Sequence, residues 1–486
     1  MAFDSKSGTA LLTDLYQLTM ACGYWKSGKS EQESAFHLFF RKHPFQGGFT
    51  IACGLADVVE FLQRLCFEEQ DVDYLAALNG RDGRPLFEGR FLDYLRHFEF
   101  KCDVDAVPEG TVVFPHEPLV RVQGPIVQAQ LIESALLHFI NFQSLIATKA
   151  ARVCLAARGE QVVEFGIRRA QGGDGGLAAS RAAYIGGCCG TSNVLAGRNH
   201  GIPVSGTHAH SWVMSFDTEM ESFEAYARAM PNNCVFLVDT YDSLEGVRRA
   251  VKVGQRLREQ GHELAGIRLD SGDLAYLSIE ARKLLDEAGF PNADIVASNE
   301  LDERVITSLK DQGAAINVWG VGTNLVTAFD QPALGGVYKL SAIRSKDAGW
   351  KYKIKLSEQM AKVSNPGILQ VRRFRSETEF AGDAIYDIQR PAPEEFTIVD
   401  PLDPTRRKQF ASDLKSEELL TPVFRQGQFV GQTPTIPEIR DRVQQQLAFF
   451  NAGVKRFTHP HQYPVGLELG LHKLKTDLIL QARGEM

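Results

Sequence analysis

The chain has 486 residues, which is too long for one simple domain and suits two or three domains of ordinary size. Hydrophobic residues make up 44% and charged residues 23%, so a wholly disordered, collagenous or coiled-coil protein is excluded. With 53 Lys and Arg against 60 Asp and Glu, the net charge is −7, and the chain lacks the basic footprint of a nucleic-acid-binding domain.

The N-terminus and the cysteines indicate a cytoplasmic protein with no membrane partner. The first residues show no basic start followed by an apolar stretch, so no secretory signal is expected. No apolar run approaches the length of a membrane span. The eight cysteines are scattered and form no CxxC pair, which is typical of reduced thiols and not of a disulfide framework or a zinc site.

The first third of the chain mixes helix and strand signals. Helical periodicity covers 56–65, and short strands bounded by turn residues are predicted over 110–115 and 118–122. A long amphipathic helix, with at most one break, then follows over 127–157.

The middle region alternates strands and helices. The predicted strands cover 162–165, 234–238, 264–269, 294–297 and 316–319, and the helices cover 243–260, 275–288 and 301–310. A strand starts roughly every 20 to 30 residues, which is typical of parallel βα units. We favour a closed or nearly closed α/β barrel and keep an open doubly wound sheet as the alternative.

The last region changes character after about residue 345. The alternating segment 351–356 and the segment 369–374 are predicted to pair as a hairpin. A proline-spaced surface loop is predicted over 390–404, and an amphipathic helix over 436–450.

Polar residues follow the predicted strands of the middle region. They are Arg168 and Arg169, Thr207 to Ser211, Asp239, Asp270, Ser298 to Glu300, and Gly320 to Asn324. Any one of them could cap a helix or make a turn. Because barrel strands carry active sites at their C-terminal ends, we expect the set to converge on one rim. Arginines, hydroxyls, carboxylates and glycine-rich backbone suit a phosphorylated, hydroxyl-rich ligand.

Several residues leave alternatives open. His208 and His210 have the i, i+2 spacing of one strand face, so either a metal pair with Asp239 or a single catalytic or phosphate-contacting histidine is conceivable, and the latter is favoured. Lys339 suits a Schiff base or a phosphate contact. The glycine stretch 171–176 is either a weak nucleotide loop or a flexible turn before a helix over 177–184.

Several motifs resemble those of the nicotinate phosphoribosyltransferase family. They occupy 12–17, 164–171, 190–197, 202–211, 267–273, 320–324 and 336–340. The resemblance implies condensation of nicotinate with 5-phosphoribosyl 1-diphosphate to nicotinate mononucleotide and diphosphate, the first step of NAD salvage from nicotinate. It further implies ATP hydrolysis through a phosphohistidine, Mg²⁺, and a homodimer with shared active sites.

The resemblance also implies a fold and a set of domains. The expected fold is an irregular α/β barrel with a second α+β domain built from the N- and C-terminal regions. Residues 1–125 would start that second domain, residues 126–345 would form the catalytic barrel, and residues 346–486 would complete the second domain.

The same resemblance implies roles for individual residues. His210 would be the phosphorylated histidine, with Asp239 orienting its imidazole, and Phe165 and the neighbouring subunit's Tyr16 would stack on the two faces of the pyridine ring. The remaining nicotinate-binding positions are Arg168, Ser192, Thr207 and Arg268. The phosphoribosyl diphosphate positions are Arg168, Arg268, Asp270, Gly322, Thr323 and Lys339. The metal ligands stay unassigned, and His208 receives no role because the corresponding position varies among relatives.

Ser192 is expected to favour the acid over the amide. Nicotinamide-using relatives look as if they have an Asp at this point, and a carboxylate there would repel a substrate acid. The alternative is that Ser192 only caps the following helix. Two other classes of function remain: a barrel aldolase or lyase that uses Lys339, and a non-catalytic binding protein.

Overall fold

The computed structural model describes residues 10–345, 348–359 and 362–484. Of these residues, those up to Leu145 and those from Ala333 onward form one compact unit, and Ile146–Pro332 form a second. Among the described residues, no helix is both long and apolar enough to cross a membrane.

The N-terminal part of the chain is mixed α and β. Its helices are α1 (Leu15–Lys26), α2 (Leu55–Gln63), α3 (Glu69–Ala76), α4 (Gly89–Arg96), α5 (Ile126–Leu131) and α6 (Glu133–Ala156), with a 3₁₀ turn at Pro44–Gln46. Its strands are β1 (Glu33–Phe40), β2 (Thr50–Ile51), β3 (Asp103–Ala106), β4 (Val112–Val113) and β5 (Val120–Pro125). The long helix predicted over 127–157 is therefore confirmed, with its one break at Ile132.

The second unit alternates strands and helices as predicted. The strands are β6 (Gln161–Glu164), β7 (Gly190–Thr191), β8 (Val235–Leu237), β9 (Gly266–Leu269), β10 (Asp294–Ala297) and β11 (Val318–Val321). The helices are α7 (Gly172–Gly186), α8 (Val194–His200), α9 (His210–Met214), α10 (Glu219–Ala229), α11 (Ser243–Glu259), α12 (Leu274–Glu287), α13 (Glu303–Asp311) and α14 (Thr323–Val326), with a 3₁₀ turn at Ile167–Arg169.

The six strands of this unit form a parallel sheet in the order β7-β6-β11-β10-β9-β8. An isolated parallel bridge from Thr191 to Val204 extends it beyond β7. No strand pair is described between the Val204 segment and β8, so the sheet as paired is open there. Since parallel strands share their direction, all six carboxyl ends lie at one edge.

The C-terminal part returns to the first unit. It contains β12 (Gly336–Arg344), β13 (Lys351–Tyr352), β14 (Leu369–Arg375), β15 (Phe380–Asp387), β16 (Thr397–Val399), β17 (Arg407–Gln409), β18 (Lys415–Glu418), β19 (Thr421–Arg425), β20 (Gln428–Phe429), α15 (Ile436–Phe449), β21 (Val465–Glu468) and α16 (Leu469–Arg483). A seven-stranded antiparallel sheet, β13-β12-β1-β5-β3-β19-β20, joins strands from both ends of the chain. A second sheet has the order β17-β16-β21-β15-β14-β18.

Three local predictions are wrong. β13 pairs with β12, and β14 pairs with β15 and β18, so the expected hairpin between 351–356 and 369–374 does not form. The predicted loop over 390–404 contains β16. The glycine stretch lies inside α7, which begins at Gly172, and is not a turn before that helix.

Candidate active site

A pocket lies at the carboxyl ends of the parallel strands. Its lining residues are Phe165, Arg168, Arg169, Arg268, Asp270, Ser298, Asn299, Glu300, Gly320, Gly322 and Thr323. They come from the ends of β6, β9, β10 and β11 and the turns that follow, so side chains far apart in sequence meet in one place. Six of these residues were predicted from the sequence to bind nicotinate or phosphoribosyl diphosphate: Phe165, Arg168, Arg268, Asp270, Gly322 and Thr323.

Arg268 is fixed on three sides. Its Nε donates to Ser298 Oγ at 2.8 Å, its Nη1 donates to Thr207 Oγ1 at 3.0 Å, and its Nη2 donates to Asp270 Oδ1 at 3.2 Å. The guanidinium carbon also lies 5.8 Å from the centre of the Phe165 ring. The hydroxyl of Ser298, in turn, donates to Asp270. The guanidinium is therefore held in one orientation before any ligand arrives.

Two further arginines lack internal partners. Arg168 and Arg169 lie exposed in the 3₁₀ turn after β6, and neither side chain has a hydrogen bond or ion pair within the described residues. Asp270 is paired with Arg268, so the carboxylate left to oppose these two cations in the pocket is Glu300. The pocket accordingly favours an anion.

Phe165 forms an aromatic wall of the pocket, and Gly320 makes room for it. A Cβ at Gly320 would lie 2.6 Å from the Phe165 ring, closer than real contacts allow. The sequence placed the last strand over 316–319 with Gly320 in the following turn. In the structure β11 runs two residues further, so Gly320 lies within the strand and Gly322 follows it.

One buried carboxylate holds together the two loops beside this wall. Glu164, at the end of β6, accepts hydrogen bonds from Thr191 Oγ1 at 2.6 Å, from Ser180 Oγ at 2.9 Å and from the backbone N–H of Gly166. Its own carbonyl oxygen accepts from the backbone N–H of Ser192 at 2.9 Å. The loop that carries Phe165 and the loop that carries Ser192 are thus tied to one residue.

Ser192 does not cap the next helix. The cap of α8 is Asn193, whose side chain accepts from the backbone N–H of Ala196 at 3.2 Å. The alternative explanation of Ser192 as a helix cap is therefore wrong, and its half-buried hydroxyl makes no cap hydrogen bond to α8.

His210 begins α9 and remains accessible, with 40% of its side chain exposed. Its Nδ1 lies 3.1 Å from Thr240 Oγ1, and its Nε2 lies 3.8 Å from Asp270 Oδ2. These two residues are the polar neighbours of the ring.

The expected contact between Asp239 and the His210 imidazole is absent from the described residues. Asp239 Oδ2 instead accepts from the backbone N–H of Asp270 at 2.9 Å and from Ser271 Oγ at 2.5 Å. The reason is that β8 ends at Leu237, and the Asp239 side chain reaches the end of the neighbouring β9. Asp239 supports Asp270, which itself faces His210.

Other aspartates after strands have the ordinary capping role. Asp242, Asp273 and Asp302 each accept hydrogen bonds from the first turn of α11, α12 and α13 respectively. Asp239 and Asp270 cap none of the described helices, which separates them from this group.

His208 is buried and neutral. Its Nε2 accepts from the backbone N–H of Leu237 at 3.3 Å, and burial lowers the pKa of His208 to about 4. The described residues contain no group of three or more His, Cys, Asp or Glu that could hold a metal ion, so the alternative of a metal pair gains no support.

Tyr16 and Lys339 belong to the first unit. Tyr16 lies on α1 and is 49% exposed, next to the exposed Leu15. Lys339 lies in β12, where its Nζ donates to the carbonyl oxygen of Tyr338 at 2.7 Å. Burial lowers the pKa of Lys339 from its ordinary value.

The sequence left several pocket residues without an assigned role. Arg169, Ser298, Asn299 and Glu300 stood in the polar strand ends but were not singled out, and Asn299 adopts a left-handed φ of 90°. A non-glycine residue in this region is strained, which is common at functional sites. Glu164 lies in the motif over 164–171 but received no role, although a carboxylate at the end of a short apolar strand is itself a signal.

Fold and pocket together define an α/β protein with an arginine-rich pocket at the carboxyl ends of parallel strands. Three family models match the chain: the nicotinate phosphoribosyltransferase N-terminal domain over residues 11–141, the nicotinate phosphoribosyltransferase family over 160–368, and its C-terminal domain over 370–475. The chain belongs to the nicotinate phosphoribosyltransferase family and is an enzyme of that family.

Similar proteins cover nearly the whole chain. A nicotinate phosphoribosyltransferase of Bacillus subtilis is 44% identical, with 94% of this chain and 92% of that protein aligned. One of Homo sapiens is 35% identical, with 96% of each chain aligned. The crystal structure of human nicotinic acid phosphoribosyltransferase matches with a TM-score of 0.84 at 33% identity, covering 96% of this chain and 100% of that chain.

The fold extends to a more distant structure. A nicotinate-nucleotide pyrophosphorylase from Pyrococcus furiosus matches with a TM-score of 0.70 at 22% identity, covering 93% of this chain and 98% of that chain. This likeness concerns the fold alone.

Proposed function

We propose that this enzyme transfers the phosphoribosyl group of 5-phosphoribosyl 1-diphosphate to nicotinate, giving nicotinate mononucleotide and diphosphate, and thereby begins NAD salvage from nicotinate. The observation that carries this proposal is the fixed Arg268 guanidinium beside the Phe165 ring, with Arg168 and Arg169 unpaired in the same pocket. An aromatic wall next to a held cation suits a flat aromatic carboxylate.

The transfer is a substitution at the ribose C1 carbon. The lone pair of the pyridine nitrogen forms the new bond to C1, and the bond from C1 to the diphosphate oxygen breaks with its electron pair. The protein aligns the two substrates and offsets charge on the leaving diphosphate. Arg268 would serve both ligands, with Thr207 and Ser192 near nicotinate and Asp270 accepting ribose hydroxyls. Gly322 and Thr323 would bind the phosphoribosyl phosphate.

ATP would act by phosphorylating His210. An unprotonated imidazole nitrogen attacks the γ-phosphorus, ADP leaves, and later hydrolysis of the phosphohistidine releases phosphate. The exposed ring supports this role, since an external nucleotide can approach it. Thr240 and Asp270 would orient the imidazole, and Asp239 would act on it through Asp270.

Mg²⁺ would enter the site as part of the substrate complex. The ion would arrive bound to the diphosphate or to ATP, as Mg²⁺ commonly does. It would neutralise charge on the phosphate oxygens while Arg168 and Lys339 contribute fixed cations.

The predicted barrel, domains and dimer are part of the same proposal. β6 pairs with β7, β8 to β11 pair in chain order, and β11 pairs with β6, which supports an irregular barrel within the catalytic domain 126–345. The sheet that joins strands from both chain ends supports one further domain made from 1–125 and 346–486. The exposed Tyr16 supports a homodimer in which each subunit covers the other's pyridine ring.

The test is incubation of the purified protein with nicotinate, 5-phosphoribosyl 1-diphosphate, Mg²⁺ and ATP. Nicotinate mononucleotide and ADP should form together. Omission of ATP should reduce product, and omission of nicotinate should leave only slow ATP hydrolysis. Absence of nicotinate mononucleotide under all these conditions would refute the proposal.

A further inference from the structure

The open edge of β8 carries a backbone group that needs a partner. The backbone N–H of Val238 points toward β9, where it donates to the carbonyl oxygen of Arg268 at 3.2 Å. Because successive N–H groups of a strand alternate in direction, the N–H of Leu237 points away from β9. His208 Nε2 accepts it at 3.3 Å. The imidazole thus takes the place that a neighbouring strand would occupy.

This contact fixes the tautomer of His208. Since Nε2 accepts a hydrogen bond, the ring proton is on Nδ1, which lies 3.5 Å from the carbonyl oxygen of Ala209. The ring is 8% exposed and packs against aromatic side chains at 4.9, 6.2 and 6.3 Å, those of Tyr226, Phe223 and Phe236. Only the neutral ring can accept from Leu237, and the buried setting keeps it neutral.

The two segments that His208 joins are those that carry His210 and its neighbour. Ala209 is the residue before α9, His210 is the first residue of that helix, and Thr240 lies three residues after Leu237. The distance of 3.1 Å between His210 Nδ1 and Thr240 Oγ1 therefore depends on the placement of both segments.

We propose that His208 is a positioning residue for the phosphoryl-accepting histidine: it links the segment before His210 to the edge of β8 and so sets the orientation of the His210 ring. This inference rests on the proposed function, in which His210 accepts the phosphoryl group. His208 does not itself touch a substrate.

Three variants of His208 separate its hydrogen bond with Leu237 from its packing against the aromatic side chains. His208→Phe fills the aromatic site but cannot accept a hydrogen bond. His208→Gln carries an amide oxygen at about the distance of Nε2 and can still accept from Leu237. His208→Asn places its amide near Nδ1, too short to reach Leu237. Tyr226→Phe, which keeps the ring that packs on His208, is the matched control.

Two measurements are made on the full-length protein. One is the rate at which ATP forms the acid-labile phosphoprotein at His210, together with nicotinate mononucleotide formed without ATP. The other is hydrogen exchange at Leu237, followed by mass spectrometry of peptides that overlap it.

We expect His208→Phe to phosphorylate about five- to a hundredfold more slowly and to exchange faster at Leu237, because a buried donor loses its acceptor. Transfer without ATP should stay within about threefold, since a selective loss of phosphorylation distinguishes positioning from general damage. His208→Gln and Tyr226→Phe should phosphorylate within about threefold of wild type, and His208→Asn should resemble His208→Phe.

Phosphorylation of His208→Phe at the wild-type rate would overturn the inference, as would an equal loss of both activities that His208→Gln fails to restore. If His208→Phe does not fold, the comparison of His208→Gln with His208→Asn decides, and equal rates would overturn it. If wild type itself forms no phosphohistidine at His210, the proposed function fails instead, and Leu237 exchange still reports whether His208 joins the two segments.

Discussion

Replacing Ser298 with alanine removes one hydroxyl on which the orientation of Arg268 depends. Ser298 is buried at the end of β10, where it accepts from Arg268 Nε at 2.8 Å and donates to Asp270. Without it, the guanidinium keeps its contacts with Thr207 and Asp270 but loses the one that fixes the Nε edge. The substitution therefore loosens the cation without removing its charge.

The magnitude follows from the kind of bond that is lost. A hydrogen bond to a charged group contributes about 1.5–3 kcal/mol. Two such bonds meet at the Ser298 hydroxyl, but Arg268 and Asp270 remain bonded to each other at 3.2 Å, so the loss should correspond to about one bond. We expect kcat/KM for 5-phosphoribosyl 1-diphosphate to fall about ten- to 150-fold.

The assay compares steady-state kcat/KM and thermal unfolding of wild type, Ser298→Ala and Ser278→Ala. Ser278 is also buried in the second unit, but within the described part of the chain its hydroxyl bonds only backbone groups of Ala275 and Ala315. Ser278→Ala should lower stability and leave kcat/KM unchanged. A folded Ser298→Ala enzyme with kcat/KM within about threefold of wild type would refute the dependence of Arg268 on this hydroxyl.

His210→Ala should abolish coupling of ATP hydrolysis to product while some uncoupled transfer survives; a normal yield of acid-labile phosphoprotein would contradict this assignment. Ser192→Asp should lower the ratio of kcat/KM for nicotinate over nicotinamide about ten- to a hundredfold through charge repulsion, and an unchanged ratio would move the discrimination to other residues. Mixing inactive Tyr16→Ala and His210→Ala chains should restore partial activity, whereas subunit exchange without recovery would argue against shared sites. Burial lowers the pKa values of His37 and His43 to about 3. Between about pH 3 and 6.5, these two imidazoles are therefore protonated in the unfolded chain but neutral in the folded chain. The free energy of unfolding should therefore fall by about 1.4 kcal/mol per pH unit for each histidine as pH drops from about 6.5 toward 3, and His37→Gln should have a shallower slope in pH-dependent melts.

The parallel half of the fold was predictable because its signals are local. Short apolar strands such as β10 are followed by polar turns and amphipathic helices, and these alternate along the chain. The partners of β13 and β14 were not predictable in this way. Their alternating residues indicate strands but not neighbours. β13 pairs with the strand before it, β12, and β14 pairs with β18, which follows only after β15, β16 and β17.

The residues of the candidate site were predictable from their positions at strand ends, but the hydrogen bonds among them were not. Position after a strand identified Arg268 and Asp270, because the topology brings such residues together. Which carboxylate faces His210 depends on where β8 ends and how far the Asp239 side chain reaches, and spacing does not contain that information. The hydroxyl of Ser298 gains its importance only from its two partners.

The carboxylate of Glu164 has a consequence for protein engineering. Because it is bonded to the Phe165 loop through Gly166 and to the Ser192 loop through Thr191, neither loop can be exchanged for that of another enzyme alone. A grafted loop without a hydroxyl at position 191 would leave a buried negative charge short of donors and shift the aromatic wall as well. Libraries that aim at new pyridine acceptors should therefore vary both loops together and keep Glu164 and Ser180 constant.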